Sequence, residues 1–300
     1  VGNGVGGGSL INAGVMDWPR DVVFDSPAWP AAVRQGRQQL TELARQVSQA
    51  LGATLPDGRP NTVGTQGCRP AKNLALQRLA QGQTYRDAPI TVALTAQATT
   101  DAVQLDACLQ CGDCATGCNH NAKISLDTNL LARAQRRGVQ IVTGATAWRL
   151  APASNGQGWD VDIIHTDEQL QRREGRPHAV RAHRVILAAG TLGSTELLQR
   201  SRSDALPLSM RLGERFSGNG DMITVAYDLH EQDGRPITAQ ATADEEQPPA
   251  ERQVGPTITG IIDRRDTQGD AVAGTPHVVE DLAVPGPMRR LFDEIFTTAK

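Results

Sequence analysis

The chain has 300 residues, a formal net charge of -3, 39% hydrophobic and 21% charged residues. These are ordinary proportions for a soluble globular protein with enough chain to bury a core. The near-neutral charge gives no footprint for nucleic acid or an anionic membrane, and 3% aromatics leave few rings for base stacking. No apolar run approaches the roughly 20 residues of a membrane helix, and the start lacks the charged-then-apolar layout of a signal peptide.

In chain order, the first predicted helix spans 30–51, with Val33, Leu40, Leu43, Val47 and Leu51 at helical spacing and Gly52 as its stop. Residues 56–67 read as a turn-rich loop, 71–80 as a short helix, and 90–95 alternates like a strand. Ser125 or Asp127 can cap a helix carrying Leu130, Leu131 and Ala134 and closed by Gly138, followed by a short strand at 139–142. Residues 159–165 alternate as a strand, whereas 167–178 is charged and without periodicity and reads as a loop. Val185 to Ala189 is a continuous apolar run, expected as a strand buried on both faces, running through Gly190 into a helix over about 194–202. Residues 233–254 are rich in Pro, Gln and Glu and read as a flexible excursion. Strands are expected again at 258–263 and 277–280, and a helix from 288 onward. Mixed helices, buried strands and alternating strands indicate an α/β core joined to a part with an antiparallel sheet.

The start of the chain is unusual. Gly2-Asn3-Gly4-Val5-Gly6-Gly7 formally satisfies G-x-G-x-x-G, but the dinucleotide fingerprint needs a strand before it and a helix after it. Neither is visible. The chain is therefore expected to be an internal piece of a longer protein, lacking both ends. Glycines so closely spaced suit either a merely flexible loop or backbone that approaches a large flat ligand and presents bare N–H groups to it.

Five cysteines are present, four of them at Cys108, Cys111, Cys114 and Cys118. The C-x2-C-x2-C-x3-C spacing matches a ferredoxin-type iron–sulfur run, although Asn119 stands where a proline usually follows and only Cys68 could supply a distant ligand. A structural role, an iron–sulfur cluster and zinc with His120 all stay open. An odd, clustered set is poorly laid out for disulfides, which favours a reducing, cytoplasmic setting.

Gly2 to Ser9 followed by Asn12 resembles the first signature of the glucose–methanol–choline oxidoreductases, and the Gly4–Gly14 run is similar to their cholesterol-oxidase branch. Arg184 to Leu198 resembles the second signature, a strand, a glycine turn and a hydroxyl-rich helix start, with Thr195 in place of the usual proline and Gln199-Arg200 in place of an apolar pair. Asn119–Asp127 and Arg211–Gly220 are similar to two further segments of that branch. The resemblance implies an FAD-binding Rossmann-like domain, incomplete here, in residues 1–16 and 119–220. A substrate-binding domain with an antiparallel sheet would occupy 17–118 and 221–300. It implies FAD contacts at Gly6, Gly7 and Gly8, with Asn12 and Gly14 near the isoalloxazine ring. Ala147 would lie on the adenine side, and Gly190 at the turn beneath the nucleotide.

His277 to Pro285 resembles the strand that carries an active-site glutamate, which maps to Glu280, though a Glu-Asp pair before a loop is also ordinary solvated surface. The implied activity is hydride transfer from the CH–OH group of a hydrophobic, sterol-like alcohol to flavin, with oxygen or a redox partner as acceptor. Two other readings are a dehydrogenase relaying electrons through an iron–sulfur cluster and a bare electron-transfer or metal-binding module. The family's principal catalytic histidine and asparagine are expected beyond residue 300. His165, His178, His183 and His230 are read as structural.

Overall fold

A computed structural model describes residues 3–167, 173–218, 220–226, 229–231, 233–239, 253–265 and 276–298. In chain order its elements are α1 (Ala31–Gln35), α2 (Arg37–Ala50), α3 (Ala71–Leu79), β1 (Thr84–Asp87), β2 (Gln97–Ala98), β3 (Gln104–Leu105) and α4 (Leu130–Arg136). They continue with β4 (Ala145–Pro152), β5 (Trp159–Thr166), β6 (Arg173–Ala182), α5 (Gly190–Ser201), β7 (Gly260–Asp263), β8 (Val278–Glu280) and α6 (Arg289–Thr298). The chain divides into two compact units, one formed by Val1–Val139 with Ala226–Lys300 and the other by Gln140–Val225. The two parts expected from the resemblance cut across these units.

In the first unit, the predicted helix over 30–51 is realised as α1 and α2, separated at Gly36. The stop at Gly52 is as expected: its φ of 72° lies in the left-handed region, and a Cβ there would meet Ile124 Cδ1 at 2.3 Å. An antiparallel sheet of order β1-β7-β8 forms the centre. Side chains alternate across it, so Ile261 joins Val63, Ala88, Ile90, Val92 and Cys114 on one face, while Ile262 joins Leu76 and Ala80 on the other. The expected strand at 90–95 supplies Ile90, Val92 and Ala93 to the core but pairs only through isolated bridges, Ile90 with Val15 and Val92 with Lys123. The Asn61 amide completes this arrangement by donating to the carbonyls of Gly52, Ile90 and Val92 at 2.9–3.0 Å.

The cap of α4 is Asn129, whose side-chain oxygen accepts the Leu130 N–H, and not Ser125 or Asp127. Those two hydrogen-bond each other one turn earlier, within a short 3₁₀ turn. Asp101, buried at the tip of the β2–β3 hairpin, takes Arg133 in a two-pronged contact at 2.7 and 2.9 Å and Arg136 at 2.9 Å. These bonds hold its carboxyl below the usual carboxylate range and tie α4 to the hairpin.

The second unit is an antiparallel sheet β4-β5-β6 with α5 packed on β4. Of the stretch read as a charged loop at 167–178, residues 173–178 belong to strand β6, which pairs with β5 from Trp159–Ala182 to Thr166–Arg173. Cross-strand pairing, as in Arg181 with Asp160 at 2.8 Å, supports a strand that alternation alone did not mark. The expected strands at 139–142 and 185–189 do not form, and Ile186 is 90% exposed. A run apolar on both faces becomes a strand only between parallel neighbours covered on both sides, and it finds none among the described residues. All strand pairs among the described residues are antiparallel. Most of the predicted excursion at 233–254 lies outside the described residues. No described helix is long and apolar enough to cross a membrane.

A buried charge of the first unit is Lys72, on α3 at 5% exposure. Burial lowers the pKa of its ammonium, and the Asp281 carboxylate opposes that shift. Asp281 Oδ2 ion-pairs with Lys72 Nζ and accepts the Thr259 hydroxyl, while Oδ1 accepts the Thr259 and Gly260 N–H groups at 2.7 Å each. Removing one partner strands the other charge in the core. Lys72→Met is expected to lower unfolding free energy by about 3–5 kcal/mol in urea titrations, and joint replacement with Asp281→Leu to recover most of it. A single-variant loss below about 1 kcal/mol would contradict this account.

Candidate functional site

The glycine-rich start folds as a tight coil whose local bonds leave one face open. Gly7 N–H donates to Gly4 O at 2.9 Å, Asn12 N–H to Gly8 O at 2.9 Å, and Ser9 Oγ to Gly6 O at 2.7 Å. Gly6 and Gly7 have φ of 108° and 55°, a conformation L side chains rarely adopt. A Cβ built on Gly7 or Gly8 would meet nothing within 4 Å. Of the two, only Gly8 is glycine without a backbone reason.

The coil is pinned from beneath. Ser9 Oγ accepts the Leu126 N–H at 3.0 Å, and Asn12 Oδ1 accepts the Gly14 N–H at 3.1 Å. Gly14, buried with a φ of 78°, gives its carbonyl to the Thr91 N–H at 2.7 Å and the Thr91 hydroxyl at 3.1 Å. Lys123 reaches up between two loops, donating to Asn12 O at 2.6 Å and Cys114 O at 2.9 Å. The structure therefore brings Gly6, Gly7, Gly8, Asn12 and Gly14 together with the cysteine loop. Ala147 and Gly190 belong to the second unit. Ala147 is exposed on β4 beside a register shift, opposite Ile163, and Gly190 opens α5 with a φ of 71° and open space at its Cβ position.

Glu280 ends β8, the edge strand of the central sheet, paired opposite Ile261 and exposed. Paired residues share a sheet face, so Glu280, Ile261 and Arg86 lie on one side, with Arg86 held by Asp17 at 2.6 Å. The next residue, Asp281, points inward to Lys72. The Glu-Asp pair is thus one exposed and one buried carboxylate.

The cysteines are all free thiols. Cys114 is buried in the apolar cluster with Val63, Ile90, Val92 and Ile261, and Cys68 and Cys108 pack against its edge. Cys108 Sγ accepts the Gln110 N–H at 3.3 Å. Burial pushes the Cys68 and Cys108 thiols up, and the Cys111 thiol to about 11. Metals bind thiolate, and among the described residues no group of three or more His, Cys, Asp or Glu side chains is arranged to hold a metal ion. The four cysteines expected as candidate metal ligands are not assembled as such. Apolar packing takes up Cys114 and partly buries Cys108.

Sequence reasoning passed over Lys72, Asp281 and Lys123. Lys123 carries a readable signal: it stands between Ala122 and Ile124, all three buried, in a segment otherwise read only for its asparagines. With Cys111 at about 11 against 9.0 for an unperturbed thiol, its thiolate fraction near neutrality is about a hundredfold below that of a free cysteine. Iodoacetamide labelling of Cys111, followed by mass spectrometry, is expected to be slow at pH 7.5 and to rise about tenfold per pH unit up to pH 10. Fast labelling at pH 7.5 would show a thiolate there.

Comparison with known proteins gives consistent results. The profile of the GMC oxidoreductases matches residues 1–206. The chain is 30% identical over 298 residues to cholesterol oxidases from two strains of Mycobacterium tuberculosis, covering 92% of this chain and 50% of theirs. It is 24% identical over 240 residues to a cholesterol oxidase of Acinetobacter baumannii, covering 74% of this chain and 41% of that one. The chain spans about half the length of these relatives. An open glycine coil, a Gly190 turn into a helix and matches of this extent establish that the chain belongs to the GMC oxidoreductase family, whose cofactor is FAD.

Proposed function

We propose that the chain contributes the flavin-facing loop and part of the substrate site of an FAD-dependent oxidoreductase that oxidises the CH–OH group of a hydrophobic, sterol-like alcohol. The observation that carries this reading is the open face at Gly7 and Gly8, a cradle of bare backbone that any Cβ would begin to fill. The residues fit the cofactor in this respect. Bound FAD supplies the hydride acceptor.

In this reading Gly6, Gly7 and Gly8 contact the cofactor, and Asn12 and Gly14 hold the loop at the ring. Ala147 and Gly190 serve the nucleotide part. Glu280 is the base for a substrate proton, including a proton shift in a steroid enone. Its backbone is steadied because Asp281 is locked to Thr259, Gly260 and Lys72, leaving little freedom for the residue beside it. The sterol preference follows the named activity of the relatives and the hydrophobic character of that substrate class. The Rossmann-like and substrate-binding assignments of 1–16 with 119–220 and 17–118 with 221–300 belong to the same proposal.

Anaerobic mixing of the intact, FAD-loaded protein with a sterol is expected to bleach flavin absorbance, and a short-chain alcohol to do so far more slowly. Gly8→Ala should keep the melting temperature of the unloaded protein, since the new methyl group meets open space, yet lower FAD affinity at least about tenfold. Failure to bind FAD, or bleaching by short alcohols alone, would sink the assignment.

Glu280→Gln tests the base separately. It is expected to retain FAD and lower the rate of proton-dependent turnover by about 10²–10⁴, the usual worth of a general base. An unchanged rate over pH 5–9 would return Glu280 to ordinary surface.

A further inference from the structure

Lys123 is a buried cation that the mechanism above leaves unused. It is 4% exposed, and its backbone is locked in place by the bridge to Val92, by Ala93 N–H on Ala122 O at 2.7 Å and by Ile124 N–H on Thr91 O at 2.9 Å. Its ammonium meets two carbonyl dipoles, Asn12 O and Cys114 O, and among the described residues no carboxylate pairs with it. Lys72, buried to the same degree, has Asp281. A buried ammonium without a counter-charge is unfavourable by several kcal/mol unless an anion completes it.

The position of this charge is informative. Lys123 holds the carbonyl of Asn12, whose side chain in turn fixes the Gly14 N–H, so the ammonium sits directly behind the glycine coil. We infer that Lys123 is the charge-setting and positioning residue of the flavin-facing loop, clamping Asn12 and favouring negative charge on the ligand the loop carries. This rests on the reading that Gly6 to Gly14 faces FAD. A fixed positive charge in a low-dielectric setting stabilises the anionic reduced form of a flavin relative to the neutral oxidised form. It also favours addition of sulfite, an anion that reacts with oxidised flavin.

The test compares Lys123→Met, Lys123→Gln and Lys123→Arg in the intact, FAD-loaded protein. The readouts are the flavin midpoint potential by dye equilibration, the sulfite dissociation constant by absorbance, and the melting temperature without FAD. Met and Gln are expected to lower the potential and weaken sulfite binding about tenfold or more, while Arg retains both. If Gln, which can still donate to both carbonyls, behaves as the unaltered protein, the charge-setting role is overturned. Unchanged potential and sulfite affinity in all three overturn it too. Should Lys123→Met not fold, the Gln and Arg pair decides by the same criteria. Unaltered protein that binds no FAD defeats the functional reading itself, whereas FAD binding with unmoved variants defeats this inference alone.

Discussion

The Lys72–Asp281 pair joins two residues 209 positions apart in the interior of the first unit. Five further polar contacts surround it, all to the 257–260 segment that leads into β7. Lys72 belongs to α3, the Thr259 and Gly260 N–H groups lead into β7, and Asp281 leaves β8. The sheet is small, with strands of three and four residues, and such strands hold poorly by backbone bonding alone. A buried pair is seldom the cheapest way to stabilise a core, but it permits one arrangement of the three elements and penalises others. The exposed position of Glu280 follows from it, because the strand can turn only one of two adjacent carboxylates inward.

Lys123 is the counterpart case, a cation whose partners among the described residues are two backbone carbonyls. Cys114 packs in the apolar cluster, and its backbone carbonyl accepts the Lys123 ammonium at 2.9 Å. The glycine coil, the cysteine loop and the Asn119–Asp127 segment thus form one assembly, in which the lysine carries the polar link between the first two. Cysteine spacing suggested a metal. Among the described residues the structure gives Cys114 an apolar setting, and burial raises the Cys108 and Cys111 thiols.

Legibility in the sequence varied with the range of the forces involved. The helices α2, α3, α4 and α5 and strands β5, β7 and β8 could be read because periodicity and stop residues act within a few positions. Strand β6 could not, because its charged residues pair across to β5 and leave no alternation of their own. The 185–189 run failed for the opposite reason: its pattern is that of a strand, but a pattern apolar on both faces needs covering layers to act on. At the site, the glycines and Glu280 were visible as motif residues, while Lys72 and Asp281 were not, since nothing local distinguishes a buried lysine or aspartate from a solvated one; for Lys123 the local sign is its place between Ala122 and Ile124.

By itself the sequence determined the family, through ordered motifs whose glycines are needed where backbone must turn tightly or stay bare. It also determined most helices and their ends, since capping and periodicity are short-range. Only the tertiary structure decided which polar residues lie inside, which of Glu280 and Asp281 faces water, and where the Lys123 ammonium sits behind the Asn12 carbonyl. The reason is physical: the free energy of a charge depends on its dielectric surroundings and its partners, and both are set by contacts between segments far apart in the chain.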